Sequence, residues 1–302
     1  MKIVDLFCGA GGMSRGFSNA GVEVVHGFDN WHHAVATAAA NADHPVSLLD
    51  LSDVAETNAA LTPLFDVDEA RRPGLVGGPP CQDFSSAGKR VEADRAGLTE
   101  RFAGYVRDMQ PSFVVMENVA RAQRAAAYQR ALETMRDAGY EVDTIVLNAA
   151  LTGVPQARKR LFAIATRDEP TTRSIMDRLR EGMSREPMTL RDYFGDSLGT
   201  EHYYRHPRSY ARRGVFSIDE PSPTIRGVNR PVPPGYPGHP GDSAPVDQAR
   251  PLTTRERAMV QTFPADYTFV GPATAQEQMI GNAVPVRLAE YVARAVAAEL
   301  YS

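Results

Sequence analysis

The stretch 2-KIVDLFCGAGGMS-14 decides the fold, because it joins an apolar run to a glycine-rich turn and a helical pattern. Its first part, Lys2–Phe7, is predicted as a β-strand, and Met13–Asn19 has helical spacing. Gly9, Gly11 and Gly12 allow the backbone to turn tightly and to approach a ligand where a side chain would block it. Ligands bind beyond the carboxyl ends of strands in doubly wound sheets, so this turn is a candidate site. The alternative is a turn that serves packing alone.

The same alternation of strand and helix continues to about residue 167. The further predicted strands are Glu23–Asp29, Val46–Leu49, Leu75–Gly77, Phe113–Met116, Val142–Leu147 and Arg160–Thr166. The intervening predicted helices are His33–Asn41, Glu100–Met109 and Arg124–Ala138. This order predicts an α/β fold, with a mostly parallel sheet covered on both faces. The short loop TGVPQARKR before the last strand predicts an antiparallel far edge.

Composition excludes several classes of protein. The chain is 43 % hydrophobic and 23 % charged, as expected of a soluble globular protein. No apolar run approaches the roughly 20 residues of a membrane span, and Asp5 interrupts the apolar start that a secretory signal needs. Two cysteines cannot form a disulfide framework, so we predict a cytoplasmic protein. We also predict a monomer without a membrane, an obligate protein partner or a metal.

The segment from about 168 to 250 has a different composition. It is crowded with proline and glycine and has no sustained period, which is compatible with disorder. Its aromatic residues and its lack of repetition favour a small, loop-rich second domain. Helical patterns return at Thr254–Thr262 and Pro285–Leu300. We therefore predict a catalytic and cofactor-binding domain over 1–167 and 281–302, with the small domain over 168–280.

Charge is unevenly distributed along the chain. The net charge is −4, yet residues 201–260 carry nine arginines against six acids, which gives +3 there and −7 elsewhere. An arginine excess beside tyrosines and histidines is typical of a surface that contacts phosphates. A solvated, loop-rich face explains the same composition equally well.

Acidic residues end the second and third strands. Asp29 follows Gly12 by 17 residues, a position from which a carboxylate can accept hydrogen bonds from both ribose hydroxyls. Together with the glycine turn it indicates a nucleoside-containing cofactor. Asp50 is placed to meet an adenine amino group, although a plain helix N-cap is as good an interpretation.

The fourth strand leads into 77-GGPPCQDFSS-86, which holds one of the two cysteines. Cys81 is either an inert residue at the rim of the sheet or a nucleophile, which nearby positive charge would favour. The fifth strand ends in VVMENV, where burial of Glu117 would favour the protonated acid, able to bond a ring nitrogen. Arg158 and Arg160 are two apart at a strand start, which predicts one shared face. The sheet rim thus offers a thiol, a carboxylic acid and a guanidinium.

These motifs, in this order, resemble those of the C5-cytosine DNA methyltransferases over nearly the whole chain. DLFCGAGGMSRGF is similar to the cofactor motif of that family, GGPPCQDFS to its Pro-Cys-Gln loop, and MENV to its Glu-Asn-Val motif. QARKR resembles its Gln-x-Arg-x-Arg motif, and RPLTTRERAMVQTFP resembles the segment after its recognition region. IGNAVPV resembles the C-terminal motif that folds back beside the cofactor. The implied fold is a Rossmann-like methyltransferase sheet with a small, loop-rich target-recognition domain.

The resemblance implies a role for each motif residue. Cys81 would attack C6 of a cytosine flipped out of duplex DNA, and Glu117 would hold N3 and the exocyclic amine. C5 would then take the methyl group of S-adenosylmethionine, leaving S-adenosylhomocysteine. Arg160 and, less directly, Arg158 would contact O2 or the catalytic loop. The implied cofactor residues are Phe7, Gly9, Gly11, Gly12, Asp29, Asn30, Asp50, Pro79, Leu98 and Asn282.

Expected DNA contacts are fewer and less well defined. Gln82 and Ser85 follow the nucleophile on a loop expected to close over DNA, and Arg158 is a further candidate. PSPTIRG resembles the Thr-hydrophobic element of the family, so Thr224 is expected to contact the backbone near the flipped nucleotide. Arg226 and Arg230 are candidates for base or phosphate contacts. The target sequence, and the residue that fills the space of the flipped base, stay open, since Ala87 replaces the serine of some relatives.

Three other functions share part of this pattern. A Rossmann oxidoreductase shares the glycine turn and Asp29 but does not need the thiol, acid and arginines together. A tRNA methyltransferase of the same chemistry carries a late Cys-Phe-Thr element, and no cysteine follows Cys81. A non-catalytic regulator would have lost Cys81 or Glu117, and both are present.

Overall fold

The computed structural model of the chain describes residues 1–80 and 89–300, with side chains for 1–80 and 97–300. Its strands are, in chain order, β1 (Lys2–Leu6), β2 (Glu23–Asp29), β3 (Val46–Leu48), β4 (Gly74–Gly77), β5 (Val114–Val119), β6 (Glu141–Asn148), β7 (Gln156–Ala157), β8 (Lys159–Thr166), β9 (His202–Tyr204), β10 (Val215–Ser217), β11 (Ser222–Pro223) and β12 (Arg250–Pro251). Its helices are α1 (Gly12–Asn19), α2 (His32–Ala39), α3 (Val54–Phe65), α4 (Lys89–Met109), α5 (Ala126–Asp137), α6 (Glu169–Glu181), α7 (Leu190–Phe194), α8 (Thr254–Val260), α9 (Ala273–Asn282) and α10 (Val286–Leu300).

A seven-stranded sheet forms the first of two compact units, which comprises Met1–Leu147, Lys159–Met183 and Ala289–Ser302. The strand order is β3-β2-β1-β4-β5-β8-β6, and β1 pairs in parallel with both β2 and β4. β8 runs antiparallel to β5, which agrees with the predicted antiparallel far edge of the sheet. The buried strands read as continuous apolar runs because helices cover both faces. The predicted Rossmann-like α/β fold is confirmed.

The order of the strands reverses between β1 and β4. The chain builds β2 and β3 on one side of β1 and then crosses to β4 and β5 on the other, which makes the carboxyl ends of β1 and β4 a switch point. The two strands approach closely there, since a Cβ on Gly77 would lie 2.3 Å from the carbonyl oxygen of Leu6. The glycine turn and the segment before Cys81 therefore leave the sheet side by side.

The second unit comprises Asn148–Arg158 and Ser184–Leu288 and is rich in loops. It contains a three-stranded sheet, β10-β9-β12, and the two-stranded pair β11-β7. A short helix, α7, begins with a capping box in which Thr189 and Asp192 bond each other's backbone amides. Backbone segments approach closely at Gly281, where a Cβ would lie 2.1 Å from the amide nitrogen of Gly227.

The pattern after residue 167 is more regular than we predicted. Asp168 caps α6 by accepting a hydrogen bond from the Thr171 amide at 2.9 Å, and the helix buries Ile175 and Leu179. Because α6 packs with the large sheet, residues 168–183 group with the first unit, while 148–158 and 281–288 group with the second. The sequence prediction also missed α9, which begins at Ala273. No helix of the described residues has both the length and the apolar character of a bilayer span.

Candidate active site

The glycine turn leaves β1 in an unusual backbone conformation. Phe7, Gly9 and Gly11 have φ angles of 58°, 54° and 82°. These angles lie in the left-handed region, which residues other than glycine rarely adopt. The Gly11 amide closes the turn by donating to the Cys8 carbonyl at 2.9 Å, and Gly11 is the N-cap of α1. Gly9 and Gly11 adopt this conformation without strain, whereas Phe7 is strained, and strained residues cluster at binding sites. A Cβ on Gly9 would meet nothing within 4 Å, so the turn borders open space.

Asp29 connects the end of β2 to this turn. Its carboxylate accepts hydrogen bonds from the backbone amides of Gly9 and Trp31, each at 2.9 Å. Burial raises the pKa of Asp29, and these amide bonds oppose the shift. Each carboxylate oxygen has a second lone pair, so the group can brace the turn and still accept a hydroxyl. The structure thus brings together the predicted residues Gly9 and Asp29.

A second carboxylate lies on the strand that leads into the turn, and the sequence prediction had not singled it out. Asp5 of β1 is fully buried and accepts a hydrogen bond from the Ser14 hydroxyl of α1 at 2.6 Å. Burial, chiefly, raises the pKa of Asp5 from 3.8 to about 7. The available signal was an acid in an otherwise apolar strand. Burial, with the charges of Asp5 and Asp29, raises the pKa of the Cys8 thiol, so Cys8 is a structural cysteine.

We expect Asp5 to make the stability of the protein dependent on pH. Its folded pKa lies above the unfolded value, so the folded state holds the proton more tightly and the free energy of unfolding falls between about pH 4 and pH 7. Between pH 5 and pH 8 this loss is about 2–3 kcal/mol. Urea unfolding of Asp5→Asn should show a shallower decline, while the same change at exposed Asp66 should follow the wild type. Parallel curves for wild type and Asp5→Asn would contradict the assignment.

The other predicted cofactor residues are distributed over both units. In the first, Gly12 begins α1, Pro79 and Leu98 are buried, and Asn30 is exposed beside Asp29. Asp50 is exposed, and its carboxylate accepts the Ser52 amide at 2.9 Å. The alternative that Asp50 caps a helix is wrong, because Asp53 caps α3 through the Glu56 amide. In the second unit, Asn282 is the exposed last residue of α9.

A buried ion pair lies on the rim of the large sheet at the end of β5. The carboxylate of Glu117, 8 % exposed, lies 2.7 Å from the Arg160 guanidinium of β8. Antiparallel pairing sets Val119 opposite Arg160 and Glu117 opposite Phe162, so Arg160 is the diagonal neighbour of Glu117 on one face. Burial lowers the pKa of Arg160, and the charge of Glu117 opposes this. The Glu117 carboxylate and the Arg160 guanidinium therefore form a close, largely buried pair at this rim.

The segment before Cys81 lies against this pair. A Cβ on Gly78 would be 3.0 Å from Oε2 of Glu117, and Asn118 donates its side-chain amide to the Pro79 carbonyl at 3.0 Å. Asn118 is thus a positioning residue that the sequence prediction had not singled out. The predicted site residues Cys81, Gln82 and Ser85 lie outside the described residues.

Arg158 does not share the surroundings of Arg160. Only 1 % exposed, it donates to the carbonyls of Ile225, Gly281 and Ala283 at 3.1, 2.9 and 3.1 Å within the second unit. The expectation of one shared face is wrong, because β7 ends at Ala157 and β8 begins at Lys159, so strand alternation does not run through Arg158. In this conformation its guanidinium holds backbone segments and is not open to DNA.

Replacing Arg158 should therefore destabilise the protein. Arg158→Met leaves three buried carbonyls without a charged donor, which should cost about 3 kcal/mol or more of unfolding free energy. Arg212→Met, at an exposed arginine of the same unit, should stay within about 0.5 kcal/mol of wild type in guanidinium unfolding. Wild-type stability of Arg158→Met, combined with a weaker salt dependence of DNA binding, would restore a DNA-contacting role.

The remaining predicted DNA contacts also lie in the second unit. Thr224 donates its hydroxyl to the Ala157 carbonyl at 3.1 Å, and its own carbonyl accepts from Arg205 at 2.8 Å. Arg226 is half-buried and donates to the His206 carbonyl. Arg230 is exposed. The structure therefore places Arg226 and Arg230 in one surface region.

Known proteins resemble this chain over nearly its whole length. The family model described as C-5 cytosine-specific DNA methylase matches residues 1–298. The chain is 51 % identical to the Type II methyltransferase M.HgiDI of Herpetosiphon aurantiacus, over 99 % of this chain and 95 % of that protein. It is 47 % identical to the Type II methyltransferase M.HindV of Haemophilus influenzae, over 98 % and 96 %.

Solved structures show the same fold. The S. pombe Dnmt2 methyltransferase superposes with a TM-score of 0.69 at 17 % identity, covering 100 % of this chain and 99 % of that one. The Entamoeba histolytica methyltransferase EhMeth gives 0.69 at 13 % identity, with the same coverage. These identities establish the fold alone. Because the family model spans residues 1–298, and the relatives align over almost their full length, the chain belongs to the C-5 cytosine-specific DNA methylase family and is a DNA (cytosine-5-)-methyltransferase.

Proposed function

We propose that the protein transfers a methyl group from S-adenosylmethionine to C5 of a cytosine flipped out of a specific duplex DNA sequence. The observation that carries this proposal is the buried Glu117–Arg160 pair beside the segment that leads into the Pro-Cys-Gln motif. A carboxyl group and a guanidinium at that rim match the hydrogen-bonding groups of a cytosine edge. Family membership sets aside the oxidoreductase and supplies the reaction type.

The glycine turn fits a nucleoside-containing methyl donor. Gly9 borders open space, and the Asp29 carboxylate stands at the adjacent strand end with oxygens able to accept hydroxyls. Phe7, Gly11 and Gly12 form the same turn, and Leu98 is a buried apolar residue of α4. We assign these residues to binding the cofactor. S-Adenosylmethionine would supply an electrophilic methyl group on its sulfonium sulfur.

The residues of the chain account for activation of the base. The Cys81 thiolate adds to C6, and the electron pair released toward C5 makes that carbon nucleophilic. Glu117 holds N3 and the exocyclic amine, which stabilises the charge that develops on the ring. Arg160 pairs with Glu117 and would donate a hydrogen bond to O2. C5 takes the methyl group as the bond from sulfur to methyl breaks, with S-adenosylhomocysteine as the leaving group. Loss of the C5 proton to solvent then returns an electron pair that expels the Cys81 thiolate and restores the aromatic ring. Base flipping is needed because C6 is inaccessible in the stack.

The relatives support a modification role. Both are named Type II methyltransferases, so we propose that this enzyme methylates the recognition sequence of a restriction-modification system. The basic second unit, with its exposed arginines, supports duplex DNA as the partner.

The test is to incubate the purified chain with labelled S-adenosylmethionine and duplex DNA of mixed sequence, followed by bisulfite sequencing. We expect label in DNA and protected cytosines within one short sequence context. A parallel incubation with tRNA distinguishes the RNA-modifying alternative. Label in tRNA alone, or no binding of the cofactor, would overturn the proposal.

A further inference from the structure

The second unit contains a pocket of about 320 Å³ lined by His206, Pro207, Arg208, Arg226, Val228 and Arg230. We call it the arginine pocket. Its volume lies in the range of ligand sites, about 300–1,000 Å³. Three of its six lining residues are cationic and none is acidic. The pocket therefore favours a group that is anionic or rich in hydrogen-bond acceptors.

Part of the lining of the arginine pocket is fixed by hydrogen bonds within the second unit. Arg226 donates to the His206 carbonyl, and its own carbonyl accepts a hydrogen bond from Arg257. The Arg257 guanidinium is in turn paired with the buried carboxylate of Glu277. Arg226 is therefore an anchored residue whose donors are partly used inside the protein.

Arg208 and Arg230 differ from Arg226 in this respect. Both are exposed, and neither has a hydrogen bond or ion pair with another described residue. Burial is the largest cause that lowers the pKa of Arg226, and the charges of Arg208 and Arg230 lower it further. The three guanidinium groups therefore share one electrostatic environment. Arg208 and Arg230 lie beside a third cation and have no carboxylate partner among the described residues. Their hydrogen-bond donors are therefore available for a ligand.

The lining favours a base edge over a phosphate. Val228 is 58 % exposed and stands beside the guanidinium groups, so the pocket pairs cations with an apolar surface. A hydrated phosphate gains nothing from that surface, whereas a base presents acceptors on its edge and an apolar face. The fork of an arginine matches the O6 and N7 acceptors of guanine, the commonest specific contact in protein–DNA complexes.

We propose that Arg208 and Arg230 each read a guanine of the target sequence, and so determine which cytosine is methylated. This inference rests on the proposed function. It assigns sequence discrimination to two named guanidinium groups, and the sequence prediction had included Arg208 only in the arginine excess of residues 201–260.

The test uses charge-conserving variants of the full chain. Once the target is known, methylation rates are measured on the target and on duplexes in which each G·C pair is replaced singly. Arg208→Lys and Arg230→Lys keep the charge but lose the bidentate fork. On the target, the methylation rate of each variant should be about 5- to 150-fold lower than that of the wild type. On one of the substituted duplexes its rate should equal that of the wild type, so the variant no longer discriminates at that guanine. Arg212→Lys, at an exposed arginine outside the pocket, should discriminate like wild type.

Phosphate contact gives a different result. Lysine would then replace arginine without loss, and Arg→Ala variants would weaken binding equally on all duplexes while reducing the salt slope by about one. That result, or full discrimination in both lysine variants, would overturn the inference while leaving the methyltransferase proposal intact. If the wild type methylates no DNA, the proposed function fails and this inference fails with it. Thermal unfolding of each variant verifies that the fold is retained.

Discussion

Cys81→Ala should abolish methylation, with a loss of at least about 10⁴-fold, the scale on which removing a covalent nucleophile acts. Without addition of a thiolate at C6, C5 of cytosine has too little electron density to take the methyl group. Binding of cofactor and DNA should persist, because the change removes one sulfur atom. The readout is incorporation of labelled methyl groups into the target duplex at saturating cofactor.

Cys8→Ala provides the matched control, since Cys8 is the only other cysteine. Its thiol is buried, and burial raises its pKa, so it does not supply a thiolate. A duplex with 5-fluorocytosine at the target position sharpens the comparison, because fluorine cannot leave C5 as a proton does. Wild type and Cys8→Ala should stay covalently linked to this DNA, whereas Cys81→Ala should not. Methylation at the wild-type rate in Cys81→Ala would exclude the covalent mechanism.

Glu117→Gln should reduce both activity and stability, for separate reasons. The amide cannot transfer a proton to N3 as a carboxylic acid can, so the negative charge that develops on the ring is less well stabilised and kcat should fall by about 10²- to 10⁴-fold. The change also leaves the Arg160 guanidinium buried without its carboxylate, which should cost about 3–5 kcal/mol of unfolding free energy. Rates from single-turnover methylation and free energies from urea unfolding measure the two effects independently.

The double variant Glu117→Gln/Arg160→Met separates these effects. Removing the unpaired charge of Arg160 should restore much of the unfolding free energy that Glu117→Gln loses. The activity of the double variant should be no higher than that of Glu117→Gln. Glu100→Gln is the control, since its pair with Arg130 is exposed and should be worth about 0–1 kcal/mol. A double variant less stable than either single variant would contradict the electrostatic explanation, and near-normal kcat in Glu117→Gln would remove Glu117 from the chemistry.

Features encoded within a few adjacent residues were predictable from the sequence. The strand, glycine turn and helix of residues 2–19 appear as expected, because glycine spacing and an apolar run are local signals. Glu117 and Arg160 were expected on one rim because both stand at strand ends, and the antiparallel strand β8 agrees with the predicted antiparallel far edge. The confirmed α/β fold depends on such local patterns repeated along the chain.

The wrong predictions concern residues whose position depends on a short bend in the backbone or on packing against residues distant in the sequence. Arg158 and Arg160 have the spacing of one face, but a strand boundary between them sends Arg158 into the second unit. Asp50 and Asp53 are equally good caps by residue type, and only the backbone path selects Asp53. α6 carries its own cap and its own apolar positions, but the proline-rich composition further along the chain obscured them.

The close approach of Gly227 and Gly281 bears on how the specificity of this enzyme could be altered. At Gly281 not even one additional carbon atom fits beside the backbone of Gly227, so the segment carrying Arg226 and Arg230 is held in place there. Exchange of the side chains at 208 and 230 does not change this backbone contact. Insertions near 227, or any larger residue at 281, would displace the whole segment. Libraries for retargeting should therefore vary the side chains at positions 208 and 230 and keep Gly281 constant.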